Sequence, residues 1–330
     1  MAVRLSQAAA ARLAALPGTD TDPAHVTCAF VNNMPDGAFD ATERQFLDLL
    51  DAGSGADVIE VSRHAMAGVP RGDAVAARID DQYLPVSAIR QEPPDILIVT
   101  GSNPVEVRIE DEPYWTDLVD LLSWGTEHVQ SMLLSCLSAH AALTVFDGIT
   151  RERLSAKCTG VFPQRVDDTH PLGAGMGPEI TLPHSRTSTV SQTALRSAGY
   201  HIAIESDEVG WSVATRKVGG SNVVLVQGHP EYDPSSLLRE YHRDARRFVL
   251  QERDDLPILP LHCVAPQDWD QLEELHRAIT GGRRDPVLLQ SYAFDDVGAR
   301  ATWPWREVAK RLYANWLAGI TKRRDRTHAR

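Results

Sequence analysis

Apolar and polar positions follow two regular patterns along the chain. Short, mainly apolar runs are typical of buried strands in a parallel sheet, and they occupy residues 26–31, 58–61, 96–99, 132–135, 213–215 and 222–226. Apolar residues with helical spacing predict helices over residues 40–51, 114–126, 235–252 and 306–317. Because strands and helices alternate, the pattern predicts an α/β fold, with a mainly parallel sheet and helices on both faces.

Length and composition fit one large α/β domain with a sizeable core. The chain has 330 residues, of which 43% are hydrophobic and 24% are charged, as in ordinary globular proteins. We find no internal repeat or low-complexity linker. We predict a short helix or loose lead-in over residues 1–25, a single domain over residues 26–318 and a solvated basic tail over residues 319–330.

The charge balance and the cysteines argue against several classes of function. A net charge of −12 lacks the basic footprint of a nucleic-acid-binding protein. No apolar run approaches the ~18 residues of a membrane helix, and the N-terminus has no apolar core of the signal-peptide type. The four cysteines form no C-x-x-C pair, which indicates reduced thiols rather than a zinc site. We therefore expect a cytoplasmic protein without metal, nucleic acid or membrane partners.

One cysteine, Cys136, stands where a predicted strand meets a predicted helix. A sharp turn there lifts the side chain clear of the sheet, and the helix N-terminus stabilises a thiolate. The backbone N–H of Leu137, the next residue, could donate to an oxyanion. The competing interpretation is an inert buried cysteine, which is the commoner fate of a single cysteine. A catalytic thiol therefore requires a base nearby.

A base and its orienting group both occur in the segment Gly228-His229-Pro230-Glu231-Tyr232. His229 follows a predicted strand, so it should reach the same carboxyl-terminal edge of the sheet as Cys136, where open α/β sheets bind ligands. Glu231 could hold one imidazole nitrogen. Alone, each residue would be read as a turn histidine or a helix-initiating carboxylate. Their joint placement with a thiol favours a catalytic triad.

Motifs between about residues 26 and 318 resemble, in order, the homoserine O-succinyltransferase/O-acetyltransferase family of methionine biosynthesis. They include Asn32-x-Met34-Pro35, Ile98-Val99-Thr100-Gly101, Tyr114-Trp115, Cys136, Gly160-Val161-Phe162, His170-Pro171-Leu172, Pro183-His184-Ser185-Arg186, Gly228-His229-Pro230-Glu231-Tyr232-Asp233, Glu240-Tyr241-x-Arg243-Asp244 and Asn315-Trp316-Leu317. The resemblance implies the three-layer, flavodoxin-like fold of class I glutamine amidotransferases.

The resemblance also implies a transferase that needs no metal or bound cofactor. Cys136 would take an acetyl or succinyl group from acyl-CoA as co-substrate, with His229 and Glu231 completing the triad. The hydroxyl of homoserine or serine would then attack the acyl-enzyme. The expected partners are acyl-CoA and a hydroxy-amino acid, with a homodimer left open.

Three residues are assigned to substrate binding by the same resemblance. Arg243 would hold the carboxylate of the amino-acid acceptor, since a guanidinium grips a carboxylate through two hydrogen bonds. Ser185 and Arg186 would lie near the acceptor pocket. For both arginines the alternative is a surface ion pair.

Two positions depart from the family pattern or bear on the donor. The family usually has a lysine just after the Asn-x-Met-Pro loop, near the oxyanion site, but Asp36 stands there in this chain. A glutamate near Glu106 marks acetyl-CoA users, and a glycine marks succinyl-CoA users. We expect Glu106 to bind substrate by lining the acyl pocket, where its carboxylate would repel the succinyl carboxylate and favour acetyl-CoA. The alternative is that Glu106 faces solvent.

Two other functions remain open from the sequence. A glutamine-amidotransferase-like hydrolase would use the same triad to release ammonia from glutamine, although the Glu240-Tyr241-x-Arg243-Asp244 segment argues against it. A non-catalytic paralogue would account for the missing lysine, although the intact triad argues against it. Neither the acyl donor, the acceptor nor the oligomeric state follows from the sequence.

Overall fold

An eleven-stranded mixed sheet lies at the centre of the computed structural model, which describes residues 3–5, 25–55, 57–282 and 284–328, with side chains up to residue 320. The strands are β1 (Val3–Leu5), β2 (His25–Val31), β3 (Val58–Ala65), β4 (Leu84–Pro85), β5 (Ile96–Val99), β6 (Ser131–Ser135), β7 (Glu152–Val166), β8 (Glu179–Thr189), β9 (His201–Ser206), β10 (Gly210–Val218) and β11 (Ser221–Val226). Their order is β1-β3-β2-β5-β6-β11-β10-β9-β7-β8, and β4 pairs with β3.

The sheet is parallel from β1 to β11 and antiparallel from β11 to β8. Because β4 also pairs in parallel with β3, most strands belong to the parallel part and the predicted mainly parallel sheet is confirmed. The antiparallel strands β7, β8 and β9 interrupt their apolar residues with polar ones, and burial along β7 and β8 follows no regular alternation. They were therefore missed by the sequence pattern.

Helices follow most of the strands. They are α1 (Asp36–Gly53), α2 (Asp73–Gln82), α3 (Trp115–His128), α4 (Leu137–Asp147), α5 (Gln192–Ser197), α6 (Ser236–Val249), α7 (Pro266–Thr280), α8 (Phe294–Arg300) and α9 (Arg306–His328). The four predicted helices are present as α1, α3, α6 and α9, and the first three lie within four residues of their expected bounds. Helix α9 begins at the expected residue but continues to His328, well beyond the predicted end at residue 317. No helix in the described ranges is both long and apolar enough to cross a membrane.

Alternate residues of β5 show that helices cover both faces of the sheet. Ile96 and Ile98 pack with residues of α1 and α9, whereas Leu97 and Val99 pack with residues of α3 and α4. Successive side chains of a strand point to opposite faces, so these two cores lie on opposite sides of one sheet. The predicted three-layer α/β architecture is confirmed.

A third core lies beside α6 rather than under the sheet. Leu238 and Phe248 of α6 join residues of α7 and α8 there, whereas Leu237 of the same helix belongs to the core beneath the sheet. Helix α6 therefore connects the sheet to the C-terminal helices.

The N-terminal lead-in needs a correction. Residues 3–5 form β1, which pairs in parallel with β3, and the Val3 amide donates to Asp51 Oδ1 at 3.1 Å. Residues 3–5 therefore form neither the short helix nor the loose lead-in that the sequence predicted, because the exposed edge of β3 offers pairing partners there. Residues 6–24 lie outside the described residues. The division into lead-in, domain and tail stays a prediction.

Candidate active site

The carboxyl ends of four neighbouring parallel strands meet at one cavity. Met34 and Pro35 follow β2, Gly101 follows β5, Cys136 follows β6 and His229 follows β11. The cavity is also lined by Thr42, Phe46, Ser102, Asn103, Pro104, Leu137, His140, Arg151, Lys157, Ser185, Arg186, Thr187, Ser188, Glu231, Tyr232, Glu240 and Arg243. The arrangement follows from the topology, since strands that run the same way end at the same edge of the sheet.

Cys136 occupies a strained turn between β6 and α4. Its backbone has φ 51° and ψ −109°, a conformation that residues other than glycine rarely adopt. The Cys136 amide donates to the Val226 carbonyl at 2.7 Å, and Ser138 Oγ donates to the Thr100 carbonyl at 2.5 Å. These bonds hold the turn against two neighbouring strands, so the thiol projects into the cavity.

The other cysteines are poor candidates for a nucleophile. Cys28 and Cys263 are buried; burial raises the pKa of Cys263 to about 12 and raises the pKa of Cys28 further. Burial also raises the pKa of Cys158, which is not among the residues that line the cavity. Because the thiolate is the reactive form, Cys136 is the cysteine best placed to react.

His229 and Glu231 form a buried pair beside Cys136. His229 Nδ1 lies 2.7 Å from Glu231 Oε1, and the two side chains are only 7% and 5% exposed. Burial alone would lower the pKa of His229, but the charges of Glu231 and Cys136 outweigh it and raise this pKa well above its usual value. His229 Nε2 bonds to no other group among the described residues, and a hydrogen bond with Cys136 is one of the interactions that raise the pKa of His229, so this nitrogen can exchange a proton with the thiol. The structure thus brings the three predicted triad residues together.

The position of the Leu137 amide suits the predicted oxyanion site. Leu137 is the first residue of α4 and lines the cavity next to Cys136. Backbone N–H groups in the first turn of a helix lack intrahelical acceptors. Gly101 lies close by, since a Cβ built on it would be 3.2 Å from Cys136 Cβ and 3.4 Å from the Leu137 nitrogen. The missing side chain of Gly101 therefore keeps space open at this amide.

A charged network centred on Glu240 forms another part of the wall. Glu240 accepts hydrogen bonds from Lys157 Nζ at 2.9 Å, from Tyr232 Oη at 2.5 Å and from Ser185 Oγ. Burial would raise the pKa of Glu240, but the Lys157 charge and these hydroxyl bonds lower it to about 2. Glu240 is thus a fixed negative charge, and Lys157 and Glu240 are cavity residues to which the sequence reasoning gave no role. Only the motif around Glu240 could have indicated one of them.

The two predicted binding arginines differ in how they are held. Arg243 lines the cavity with a half-exposed side chain, and its Nε and Nη2 donate to Asp244 Oδ1 at 3.1 and 2.9 Å. Arg186 is buried and donates to the Ser188 carbonyl at 2.8 Å and the Val209 carbonyl at 2.5 Å. Both arginines line the cavity with Ser185, but only Arg186 is buried without an acidic partner among the described residues. Arg243 keeps a half-exposed ion pair with Asp244, so the surface ion pair stays an open alternative for this residue.

Asp36 points away from the cavity, contrary to the concern raised by the missing lysine. Its Oδ2 accepts from the Gly72 amide at 2.8 Å, and it is not among the lining residues. The cation next to this loop is instead Arg71, from the segment after β3. Its guanidinium donates to the Asn32 carbonyl at 3.1 Å and to the Met34 carbonyl. Arg71 is only 8% exposed, so this loop rests on a buried cation.

The expectation that Glu106 lines the acyl pocket is wrong. Its side chain is exposed and does not belong to the cavity wall. The reason is the fold of its segment, in which the amides of Val105 and Glu106 both donate to Glu112 Oε1 at 2.9 Å. The segment turns outward at this point, so the carboxylate of Glu106 gives no basis for excluding a succinyl group.

Within the described ranges, no cluster of three or more histidine, cysteine or acidic side chains could hold a metal ion. Six charged side chains line the cavity. Four are basic, Arg151, Lys157, Arg186 and Arg243, and two are acidic, Glu231 and Glu240. This balance suits a substrate that carries negative charge.

Comparison with known proteins gives consistent relatives. The model of the homoserine O-succinyltransferase family matches residues 5–325. The homoserine O-succinyltransferase of Rhodopseudomonas palustris is 36% identical over 295 residues, which cover 89% of this chain and 88% of that protein. The corresponding protein of Methylorubrum extorquens is 36% identical over 293 residues, covering 89% of this chain and 86% of that protein. Among solved structures, a glutamine amidotransferase from Methylobacillus flagellatus is similar with a TM-score of 0.48 and 15% identity, covering 90% of this chain and 94% of that one.

Proposed function

The chain belongs to the homoserine O-succinyltransferase family, and we propose that it transfers the succinyl group of succinyl-CoA to homoserine through a thioester on Cys136. Membership makes it a homoserine O-acyltransferase of methionine biosynthesis. The observation that carries the thioester mechanism is the strained, cavity-facing Cys136 beside the buried His229–Glu231 pair.

The first half-reaction acylates the enzyme. The Cys136 thiolate attacks the thioester carbonyl carbon, so a new carbon–sulfur bond forms while the bond to the CoA sulfur breaks. The Leu137 amide is placed to stabilise the negative oxygen of the tetrahedral intermediate. The raised pKa of His229 keeps a proton available for the departing CoA thiolate.

The second half-reaction moves the acyl group to the acceptor. His229, neutral after the first step, takes the proton of the homoserine hydroxyl, whose oxygen attacks the acyl carbonyl and releases Cys136. Arg243 suits the acceptor carboxylate because its half-exposed guanidinium faces the cavity. Glu240, a fixed negative charge, suits the acceptor ammonium group. Ser185 and Arg186 line the same wall.

The donor in this proposal is succinyl-CoA rather than acetyl-CoA. Both relatives described above are named for succinyl transfer. The predicted acetyl preference depended on Glu106, which lies outside the cavity, whereas four cations line it. Acyl-CoA acts as a co-substrate, so the proposal includes no bound cofactor. We place the reaction in the cytoplasm, where four free thiols persist; the homodimer stays a prediction.

Intact-mass spectrometry after brief exposure to succinyl-CoA tests the function. We expect a succinyl adduct on the unmodified chain and on Cys158→Ala, a control for another partly buried cysteine, but none on a folded Cys136→Ala. Added homoserine should discharge the adduct and yield O-succinylhomoserine. An adduct that survives in Cys136→Ala would exclude this nucleophile. Ammonia release from glutamine without any acyl adduct would instead support the hydrolase, and absence of both activities the non-catalytic paralogue.

A further inference from the structure

Arg151 is a cavity cation for which the two half-reactions have no role. It lies between α4 and β7 and lines the same cavity as Cys136. The charge of Cys136 is one of those that act on its pKa, which indicates that the two side chains are close enough to interact. Its position thus puts a positive charge near the atom that would carry the acyl group.

Arg151 differs from the other cavity cations in its partners. Lys157 pairs with Glu240 and Asp244, Arg243 pairs with Asp244, and Arg186 is fixed by two carbonyls. Within the part of the chain that the structure describes, Arg151 forms no ion pair, and its one hydrogen bond runs from Nη2 to the Val107 carbonyl at 3.3 Å. Most donors of this guanidinium are therefore available to a ligand.

The acidic residues near Arg151 do not neutralise it directly. Glu112 uses Oε1 for the amides of Val105 and Glu106, while Glu110 pairs with Arg108 at 3.7 Å. Burial lowers the pKa of Arg151, although Tyr114, Glu112, Cys136 and Glu110 act in the opposite direction. A partly buried guanidinium that has acidic groups nearby but no direct ion pair is stabilised when an anion binds to its free donors.

Arg151 is also separate from the acceptor side of the cavity. In the described residues, no hydrogen bond or ion pair connects it to the network of Lys157, Ser185, Glu240 and Arg243. Its one bond goes to the segment after β5, which carries Val107. The cavity therefore contains two cationic places, one suited to the amino acid and one still unassigned.

We propose that Arg151 binds the terminal carboxylate of the succinyl group. The opposite end of the succinyl group is then the thioester carbonyl, attached to CoA or to Cys136. This inference rests on the proposed function and deepens it, because it names the residue that selects a dicarboxylic acyl donor. A planar guanidinium grips a carboxylate through two parallel hydrogen bonds, and an acetyl group offers no such partner. Arg151 is thus a specificity-determining residue for the donor.

Competition between succinyl-CoA and acetyl-CoA for acylation of Cys136 provides the test. We expect Arg151→Gln to lower the succinyl-to-acetyl ratio of kcat/KM roughly tenfold to a hundredfold, the usual effect of losing a hydrogen-bonded charge. Arg151→Lys should give an intermediate ratio, because it keeps the charge and loses the fork. Arg108→Gln is the matched control, since Arg108 is 68% exposed and outside the cavity.

The use of two donors with the same CoA group separates the outcomes. An unchanged ratio in Arg151→Gln overturns the proposal, and so does an equal loss with both donors, which would assign Arg151 to the CoA portion or to folding. A ratio that falls in Arg151→Gln and recovers partly in Arg151→Lys supports it even if stability decreases. If the unmodified chain acylates with neither donor, the proposed function fails together with this inference.

Discussion

At the residue scale, several cavity side chains are held by one partly buried carboxylate, that of Glu240. Its two oxygens accept from Lys157, Ser185 and Tyr232, three side chains supplied by different parts of the chain. A buried carboxylate is tolerated only when such partners replace water. Glu240 therefore fixes Lys157 and Ser185 in the wall of the cavity and stabilises the fold as long as it is ionised.

The first prediction concerns the pH dependence of that stabilisation. Because partners lower the pKa of Glu240 to about 2, below its ordinary value of 4.5, the folded state favours the ionised form. Its contribution is therefore complete above about pH 4.5 and declines as the pH falls towards 2. We expect the loss of unfolding free energy caused by Glu240→Gln to shrink by about 2 kcal/mol between pH 6 and pH 3.

Urea unfolding of the parent and of Glu240→Gln at both pH values measures this difference. Other groups titrate equally in both proteins, so the difference isolates the one carboxylate. A penalty that is the same at pH 6 and pH 3 would show that the native pKa of Glu240 is not depressed.

The sequence identifies some of these residues more readily than others, for a physical reason. Cys136 and His229 directly follow apolar strands, so their place at the sheet edge follows from topology alone. Lys157 and Arg151 reach the cavity through long side chains from outside those strand ends, and no local pattern marks them. The prediction that Glu106 lines the acyl pocket failed because the direction of its side chain depends on a loop whose amides are bound by Glu112.

At the scale of elements, the ends of β5 and β6 bring Gly101, Cys136 and Leu137 together at the cavity. The turn at Cys136 places the thiol and the Leu137 amide within reach of one carbonyl group, and the loop after β5 passes directly beside them. Apolar runs predicted β2, β3, β5, β6 and β11 of the parallel part, but not the short strands β1 and β4. The strand-to-helix step at Cys136 was visible in the sequence, whereas the contact with Gly101 requires the register between strands.

A second prediction tests this close contact. In Gly101→Ala, the new methyl group would lie 3.2 Å from Cys136 Cβ, closer than most Cβ contacts, and would touch the Leu137 nitrogen at 3.4 Å, so the turn at Cys136 would have to shift by a few tenths of an ångström. We expect acylation by succinyl-CoA to slow by about tenfold or more, as when an oxyanion donor is lost, with little change in Tm. Stopped-flow or quenched mass measurements of acyl-enzyme formation give the rate.

Gly37→Ala is the matched control for this variant. A Cβ on Gly37 meets nothing within 4 Å, and its position in α1 favours alanine. Equal slowing in both variants, or normal acylation in Gly101→Ala, would mean that the space beside Leu137 is not needed for the reaction.

The whole molecule links its C-terminal helix to both ends of the central strands. Trp305, just before α9, donates its indole N–H to the Tyr232 carbonyl at 2.8 Å, three residues after His229. Trp316, within α9, donates to Ser131 Oγ at 2.8 Å, at the start of the strand that ends at Cys136. The sequence predicted helix α9 but not its long-range partners, because contacts between distant segments leave no local periodicity.

These two tryptophans allow the last prediction to separate stability from function. Both are buried, at 3% and 4% exposure, and each donates one indole hydrogen bond, so replacement by phenylalanine removes the same donor from similar surroundings. We expect Trp305→Phe and Trp316→Phe each to lower the free energy of unfolding by about 1–3 kcal/mol. Only Trp305→Phe should also reduce kcat several-fold with saturating succinyl-CoA and homoserine, because it frees the loop that positions His229 and Glu231. Unfolding curves and steady-state kinetics on the same preparations measure both quantities. Equal losses of kcat in the two variants would show that Trp305 acts through general stability and does not hold the active-site loop.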